Sequence, residues 1–218
     1  MALSHMKVVL LGMTGTGKTA ILERYTKGTF HHNRPTIGSA FASKKVPAGS
    51  SSIIMGLWDT CGQEKFQSLC RIYYQGASAA IVCYDLTNGE SFTKAQHWID
   101  ELHKLNTEDC AIYLIGTKYD LIENGSARGI SPTKLKQFAE GTRAKTMETS
   151  SKTGYNIDEL FSTIANDFKS SRKRKTKDGE ANSFKLSSED EISRRKMCSC
   201  TSAPATEEND PYSVIETN

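Results

Sequence analysis

A glycine-rich run near the start of the chain constrains the fold more than any other feature. Residues 12–19 read Gly-Met-Thr-Gly-Thr-Gly-Lys-Thr, a complete G-x-x-x-x-G-K-[ST] pattern, between an apolar run at 7–11 and a helical pattern at 18–27. Glycine allows backbone conformations that turn successive N–H groups toward a phosphate, and the helix N-terminus adds the positive end of its dipole. In such a loop Lys18 reaches the β- and γ-phosphates and the Thr19 hydroxyl ligates Mg²⁺. The run therefore predicts a strand–loop–helix unit that binds nucleotide phosphates.

Apolar strands and amphipathic helices alternate along the chain. The predicted strands are residues 7–11, 41–46, 53–58, 79–84, 111–115 and 145–148. The predicted helices are residues 18–27, 91–105, a helix that opens at Ser131-Pro132, and 156–168. Uninterrupted apolar strands between helices imply a mostly parallel six-stranded sheet with helices on both faces, and a turn at 47–50 makes one edge strand antiparallel. The predicted fold class is α/β, of the phosphate-loop NTPase type.

The composition changes close to residue 170. Residues 171–177 contain five basic residues, and Ser, Glu, Asp, Lys and Thr then dominate without periodicity. This composition is typical of disorder, because it cannot bury enough apolar surface. We predict a disordered leader over 1–6, one domain over 7–169, and a disordered basic tail over 170–218.

Hydropathy and cysteine usage indicate the compartment. The longest apolar runs are strand-sized, so we expect no bilayer-spanning segment. No apolar stretch follows the initiator methionine, so we expect no secretory signal. The six cysteines lack zinc spacing, which is typical of free thiols in a reducing compartment. We therefore predict a cytoplasmic protein, and the net charge of +3 does not favour nucleic acid as the main partner.

A second motif, Trp58-Asp59-Thr60-Cys61-Gly62-Gln63-Glu64, lies at the end of the second hairpin strand. An acidic residue there, beside a phosphate loop, can hold Mg²⁺ through water. Asp-x-x-Gly alone would be an ordinary turn, but the phosphate loop upstream favours the metal site.

A third and a fourth motif concern the base. Gly116-Thr117-Lys118-Tyr119-Asp120 follows a predicted parallel strand, and ligands of open α/β sheets bind at that edge. The carboxylate of Asp120 can accept hydrogen bonds from guanine N1–H and its 2-amino group, whereas adenine would leave it unpaired. Glu148-Thr149-Ser150-Ser151-Lys152 can present backbone N–H groups to guanine O6, although a serine-rich loop is an equally good explanation.

These four motifs, in this order, resemble the Ras superfamily of small GTPases over about residues 7–169. Finer features resemble its Rab branch: Ile37-Gly38-Ser39-Ala40-Phe41, the tryptophan of Trp58-Asp59-Thr60, Tyr73-Tyr74-Gln75-Gly76-Ala77 and Tyr84-Asp85-Leu86-Thr87. Within the Rabs, the runs 71–74 and 79–87 are most similar to the atypical subfamily numbered twenty-four, which implies an association with autophagy. The resemblance implies a Ras-like G domain, a GTP/GDP switch in vesicle traffic with Mg²⁺, and effector, exchange-factor and GTPase-activating protein partners.

The resemblance also implies roles for individual residues. Thr36 would close over Mg²⁺ and the γ-phosphate, Gly62 would bond the γ-phosphate, and Gln63 would orient the attacking water. The implied phosphate-binding residues are Gly15, Thr16, Gly17, Lys18, Thr19, Thr36 and Gly62. The implied guanine-binding residues are Phe30, Thr117, Lys118, Asp120, Ser150, Ser151 and Lys152. The implied metal ligands are Thr19, Thr36 and Asp59, and the implied effector triad is Phe41, Trp58 and Tyr73.

The G-domain sequence departs from the family at several positions. Thr117 replaces the usual asparagine, and its hydroxyl reaches less far, so we expect one or two hydrogen bonds to be lost at about 0.5–1.5 kcal/mol each. The segment between Thr19 and Thr36 is one residue shorter than usual, and Thr14 places a β-branched side chain near the γ-phosphate. We expect weaker nucleotide binding with guanine specificity retained.

The C-terminal cysteines also depart from the family pattern. Cys198-Ser199-Cys200 resembles the geranylgeranylation signal of Rabs, but residues 201–218 follow it. The pair could be S-palmitoylated, the tail trimmed, or the chain unlipidated. The basic residues upstream suit an anionic membrane surface, at about 1 kcal/mol per charge, so we expect a peripheral position on the cytosolic face of an endomembrane.

Three other functions would use some of the same sequence features. A guanine-nucleotide-binding module with negligible hydrolysis, regulated by occupancy or phosphorylation, shares the motifs, but Gln63 favours the enzyme. Asp120 and the lack of an arginine-rich lid insertion argue against a phosphate-loop kinase. A nucleic-acid protein would rest on the basic tail alone and is the least favoured.

Overall fold

The computed structural model describes residues 4–31, 36, 38–49, 51–62, 73–104 and 110–185, with side chains up to residue 172. The strands are β1 (Ser4–Leu11), β2 (Ser39–Ala48), β3 (Ser51–Thr60), β4 (Ala79–Asp85), β5 (Ala111–Thr117) and β6 (Lys145–Glu148). The helices are α1 (Lys18–Lys27), α2 (Gly89–Lys104), α3 (Tyr119–Glu123), α4 (Pro132–Thr142) and α5 (Ile157–Lys185).

The six strands form one sheet in the order β2-β3-β1-β4-β5-β6. Only the β2–β3 hairpin is antiparallel among these pairs, and the other four pairings are parallel. The predicted mixed sheet with an antiparallel edge is therefore confirmed. Because β1, β3, β4 and β5 run in the same direction, their carboxyl ends meet at one edge of the sheet, where α/β proteins bind ligands.

The alternation of side chains along β1 explains the layers. Val8 and Leu10 belong to an apolar cluster on one face with α1 and α5, and Val9 and Leu11 to a second cluster on the other face with α2 and α4. Each of these four side chains is fully buried. A strand that is apolar at every position is therefore covered on both faces, which fixes the sheet as the middle layer.

The structure corrects the predicted leader. Residues 1–6 were expected to be disordered, but β1 begins at Ser4, and Ser4–Met6 pair with Ile53–Met55 of β3. Met6 is buried in the core while His5 is exposed, so the strand pattern continues toward the N-terminus. The long strand β3 offers backbone hydrogen-bond partners to residues 4–6, and the sequence before Lys7 gives no sign of this pairing.

Two helices also differ from prediction. Helix α3 is five residues long, too short to give a periodic signal. Helix α5 continues to Lys185, beyond the expected end at Phe168, because basic residues are good helix formers and no proline interrupts this stretch. The structure divides into a unit Met1–Arg174 and a unit Lys175–Asn218. None of the described helices is both long and apolar enough to cross a bilayer.

Candidate functional site

A cavity of about 470 Å³ lies at the carboxyl edge of the sheet, over the loop between β1 and α1. Twelve of the predicted site residues line it: Gly15, Gly17, Lys18, Thr19, Phe30, Thr36, Gly62, Thr117, Lys118, Asp120, Ser151 and Lys152. Three others, Thr16, Asp59 and Ser150, lie directly behind this lining and hold it in place, as described below. Gln63 lies outside the described residues, as do Cys198 and Cys200.

The loop takes its shape from glycine. Gly12 has φ of 136°, and a Cβ there would lie 2.3 Å from the carbonyl oxygen of Cys83 on β4. Only glycine therefore fits where the loop leaves the sheet. The buried Thr16 hydroxyl donates to the carbonyl oxygen of Met13 at 2.8 Å, which closes the loop on itself. The loop ends at Gly17, where α1 begins with its N–H groups directed at the cavity.

Lys18 places a positive charge beneath the cavity. The residue is buried, and its ammonium donates to the carbonyl oxygens of Gly12 at 2.8 Å and Met13 at 3.0 Å. These bonds hold the extended side chain back along the loop. The arrangement provides a fixed cation for an anionic ligand.

The segment that follows β3 packs directly on the loop. The Thr14 N–H donates to the carbonyl oxygen of Gly62 at 3.1 Å. A Cβ at Gly62 would lie 2.5 Å from both the Lys18 Nζ and the Thr14 nitrogen. Residue 62 must therefore be glycine for its segment to lie this close to the loop. The position of that segment then depends on the loop.

Two hydroxyls and a carboxylate form the candidate metal centre. The Thr19 hydroxyl lies 2.6 Å from Asp59 Oδ2, to which it donates, and 2.8 Å from the Thr36 hydroxyl. Asp59 is fully buried, and its Oδ1 has no hydrogen-bond partner among the described residues. Burial raises the pKa of the Asp59 carboxyl, although the Thr19 hydrogen bond and the Lys18 charge oppose that rise. A buried carboxylate oxygen without a partner beside two hydroxyls fits a hard cation such as Mg²⁺.

At the other end of the cavity, a carboxylate is held by a neighbouring loop. Asp120 is buried, and its Oδ1 accepts a hydrogen bond from the Ser150 hydroxyl at 2.6 Å. The backbone of the two segments is also joined, because the Tyr119 N–H donates to the carbonyl oxygen of Thr149 at 3.0 Å. The third and fourth sequence motifs therefore form one wall.

Thr117 directs its hydroxyl into the sheet. The hydroxyl donates to the carbonyl oxygen of Tyr84, on β4, at 2.9 Å. The threonine proton is thus used to join β5 to β4. An asparagine amide, with two donors and an acceptor, could form more hydrogen bonds at this position.

Asp85, which no sequence motif indicated as a site residue, contacts the cavity-lining residue Lys118. Its Oδ2 pairs with the Lys118 ammonium at 2.6 Å, and its Oδ1 accepts from the Thr87 backbone and hydroxyl. Burial alone would raise the pKa of Asp85, but the hydrogen bonds from Lys118 and Thr87 leave it lowered overall. The signal available was an acidic residue ending a parallel strand that neighbours the Thr117–Lys118 strand.

The three predicted effector aromatics form a continuous surface, away from the cavity. Phe41 and Trp58 pair across the β2–β3 hairpin with ring centroids 4.9 Å apart, and Trp58 lies 6.0 Å from Tyr73. Phe41 is 58% exposed, which is high for a phenylalanine. Trp58 and Tyr73 are partly buried, and a partly exposed aromatic cluster of this kind is typical of a protein-binding surface.

Comparison with known proteins gives a consistent result. The family model described as "Ras family" matches residues 7–170. The chain is 48% identical over 163 residues to Ras-related protein Rab-24 from Dictyostelium discoideum, covering 75% of this chain and 80% of that protein. It is 38% identical over 195 residues to mouse Ras-related protein Rab-17, covering 88% and 90%, and 40% identical over 166 residues to human Ras-related protein Rab-31, covering 76% and 84%.

Proposed function

This chain belongs to the Ras family, in its Rab branch, and on that premise we propose which of its residues bind the nucleotide, hold the metal and drive the switch. Proteins of this family bind GTP and GDP with Mg²⁺ and hydrolyse GTP, and Rabs act as switches in membrane traffic. The chain is therefore a small GTPase of that kind. The assignment of individual residues below is our proposal.

The nucleotide lies along the cavity, with its phosphates at the loop and its base at the Asp120 wall. Lys18 and the N–H groups of the loop and of α1 bind the phosphates. Asp120 accepts from the guanine edge, while Phe30 and the stem of Lys118 contact its faces. The proposal is supported by the continuous lining of one cavity by all these residues.

Mg²⁺ is held by the Thr19 and Thr36 hydroxyls, with Asp59 acting through water. When bound, the ion neutralises charge on the phosphates. Thr19 bridges the other two residues at hydrogen-bond distance, so a small shift of any one of them changes the position of the others. Thr36 belongs to the first switch segment.

The contact of both switch segments with the phosphate loop is the observation that carries the switch proposal. Thr36 reaches Thr19, and Gly62 reaches Thr14 and Lys18. A γ-phosphate at the loop would bond both segments, and its loss on hydrolysis would release them. Gln63, the residue after Gly62, orients the attacking water in this proposal.

The same proposal extends to the binding of partner proteins and to the position of the protein in the cell. Effectors bind the aromatic surface of Phe41, Trp58 and Tyr73, which begins on the strand that follows the first switch segment. Exchange factors and GTPase-activating proteins act on the switch segments. The basic residues after 170 and the pair Cys198 and Cys200 place the protein peripherally on the cytosolic face of an endomembrane.

The test is the Mg²⁺ dependence of GDP binding. We expect chelation of Mg²⁺ to weaken GDP binding by the parent protein, and Thr19→Ala to remove most of that dependence. Thr26→Ala is the matched control, because its hydroxyl donates to the Leu22 carbonyl on the same helix. Thr19→Ala with the full Mg²⁺ dependence of the parent would contradict the metal site.

A further inference from the structure

Arg24 makes an unusual set of contacts for a residue in the last turn of α1. Each of its three guanidinium nitrogens donates to a backbone carbonyl oxygen. The Nε donates to Ser151 at 2.5 Å, one Nη to Lys152 at 2.6 Å, and the other Nη to Gly28 at 2.8 Å. The planar fork of arginine can satisfy three acceptors in fixed directions at once, which a lysine ammonium cannot.

The three acceptors belong to two separate segments, and each segment reaches the cavity. Ser151 and Lys152 line it themselves. Gly28 ends α1 and lies two residues before Phe30, which also lines the cavity. The Gly28 N–H also donates to the Arg24 carbonyl oxygen at 3.0 Å, so Arg24 holds this residue through both its backbone and its side chain.

We propose that Arg24 is a positioning residue that slows nucleotide release by tying together the two segments that enclose the base. This inference rests on the proposed placement of guanine in the cavity that Phe30, Ser151 and Lys152 line. Arg24 touches neither the phosphate loop nor the candidate metal centre through any of these bonds. Its effect therefore falls on how long the base is held and much less on the chemistry at the phosphates.

Lys27, which pairs with Glu23 on the same helix, provides a matched control. Lys27 is exposed and pairs with Glu23 at 3.4 Å, one turn away, as surface pairs on helices commonly do. In the part of the chain that the structure describes, this pair joins no other segment. Lys27→Ala therefore removes a positive charge from α1 without opening the link between the two segments.

The experiment measures release of a fluorescent methylanthraniloyl-GDP from the full chain, chased with excess GDP in the presence of Mg²⁺. Because three hydrogen bonds to a charged group are lost, we expect Arg24→Ala to accelerate release about ten- to hundredfold. Arg24→Lys should fall between that variant and the parent, because it keeps the charge and stem but not the fork. Lys27→Ala should release GDP at the parent rate.

A second measurement separates positioning from general damage. Single-turnover hydrolysis of bound GTP should slow by a much smaller factor than release accelerates. The inference is overturned if both Arg24 variants release GDP within twofold of the parent, if Lys27→Ala accelerates release equally, or if hydrolysis slows as much as release accelerates. If Arg24→Ala does not fold, the comparison of Arg24→Lys with the parent decides. A parent chain that does not bind the labelled GDP would instead refute the proposed function itself.

Discussion

At the proposed phosphate end of the cavity, residues 12–19 are consecutive in the sequence, whereas the proposed base end is assembled from Phe30, residues 117–120 and residues 150–152. The phosphate end holds itself together by short bonds within the loop, such as Thr16 to Met13. The base end depends on bonds between segments far apart in the chain, with Arg24 and Ser151 separated by 127 positions.

Substitutions at the two ends should therefore have different kinds of effect. A change at the phosphate end alters a charge or a ligand directly, so its effect on binding or rate should be large. A change at the base end alters how distant segments are held, so it should appear as a graded change in affinity, selectivity or lifetime.

Lys18→Ala should cause the largest loss. Removal of the buried ammonium leaves the phosphate charges to backbone N–H groups alone, and loss of one partner of a buried charged contact costs about 3–5 kcal/mol. GDP affinity, measured by calorimetric titration, should fall by roughly a hundred- to several thousandfold. Unchanged affinity would show that the loop is not the phosphate site.

Gln63→Leu should affect rate and leave affinity close to that of the parent. A misplaced water can cost about a hundredfold in rate, and the glutamine contributes mainly in the transition state. Intrinsic hydrolysis should already be slow, because an arginine finger from another protein is worth about 10³–10⁵ in kcat. Single-turnover phosphate release measures the effect, with GTP affinity as its control. If the variant hydrolyses GTP as fast as the parent, a binding module with negligible catalysis becomes the better account.

Asp120→Ala should reduce selectivity. The parent should prefer GTP to ATP, since adenine leaves the buried carboxylate unpaired, and the variant should lose about ten- to a hundredfold of that preference. Competition of each nucleotide against labelled GDP measures the ratio. Glu123→Ala, an exposed acidic residue on the same short helix α3, serves as the control. Equal preference in parent and Asp120→Ala would remove Asp120 from the base site.

The two ends of the cavity also differ in how far they could be predicted from sequence. The phosphate-loop motif can be read directly from the sequence, because its residues are adjacent and its context of strand and helix is local. The walls of the base end were recognised as motifs, but Asp85 and Arg24 were not, since their roles arise only when distant segments meet. Arg24 in particular lies among Ile21, Leu22 and Tyr25 and carries no local signal.

The same reasoning applies to the fold. The apolar strands and α1 were predicted well because their periodicity is strong, and helix α1 has the predicted bounds. The early start of β1 at Ser4 was missed because it depends on pairing with β3, and α3 was missed because five residues show no period. Tertiary pairing, rather than local preference, decided where β1 begins.

Thr117 offers the smallest and most discriminating change at the base end. Its hydroxyl donates to the Tyr84 carbonyl, within the sheet, and no hydrogen bond joins it to the phosphate loop in the described part of the chain. Thr117→Asn should therefore tighten GDP binding by about two- to tenfold, because the longer amide adds one hydrogen bond to the base or loop.

Thr117→Val keeps the shape of the side chain and removes only the hydroxyl. It should lower thermal stability, through loss of the bond to Tyr84, with little change in GDP affinity. If Val weakens GDP binding severalfold, the hydroxyl contacts the nucleotide when it is bound. If Asn binds GDP more weakly than the parent, the Tyr84 bond shapes the base end more than the added amide improves it. In that case threonine is the residue that this sheet requires, and its presence here is not a weakened asparagine.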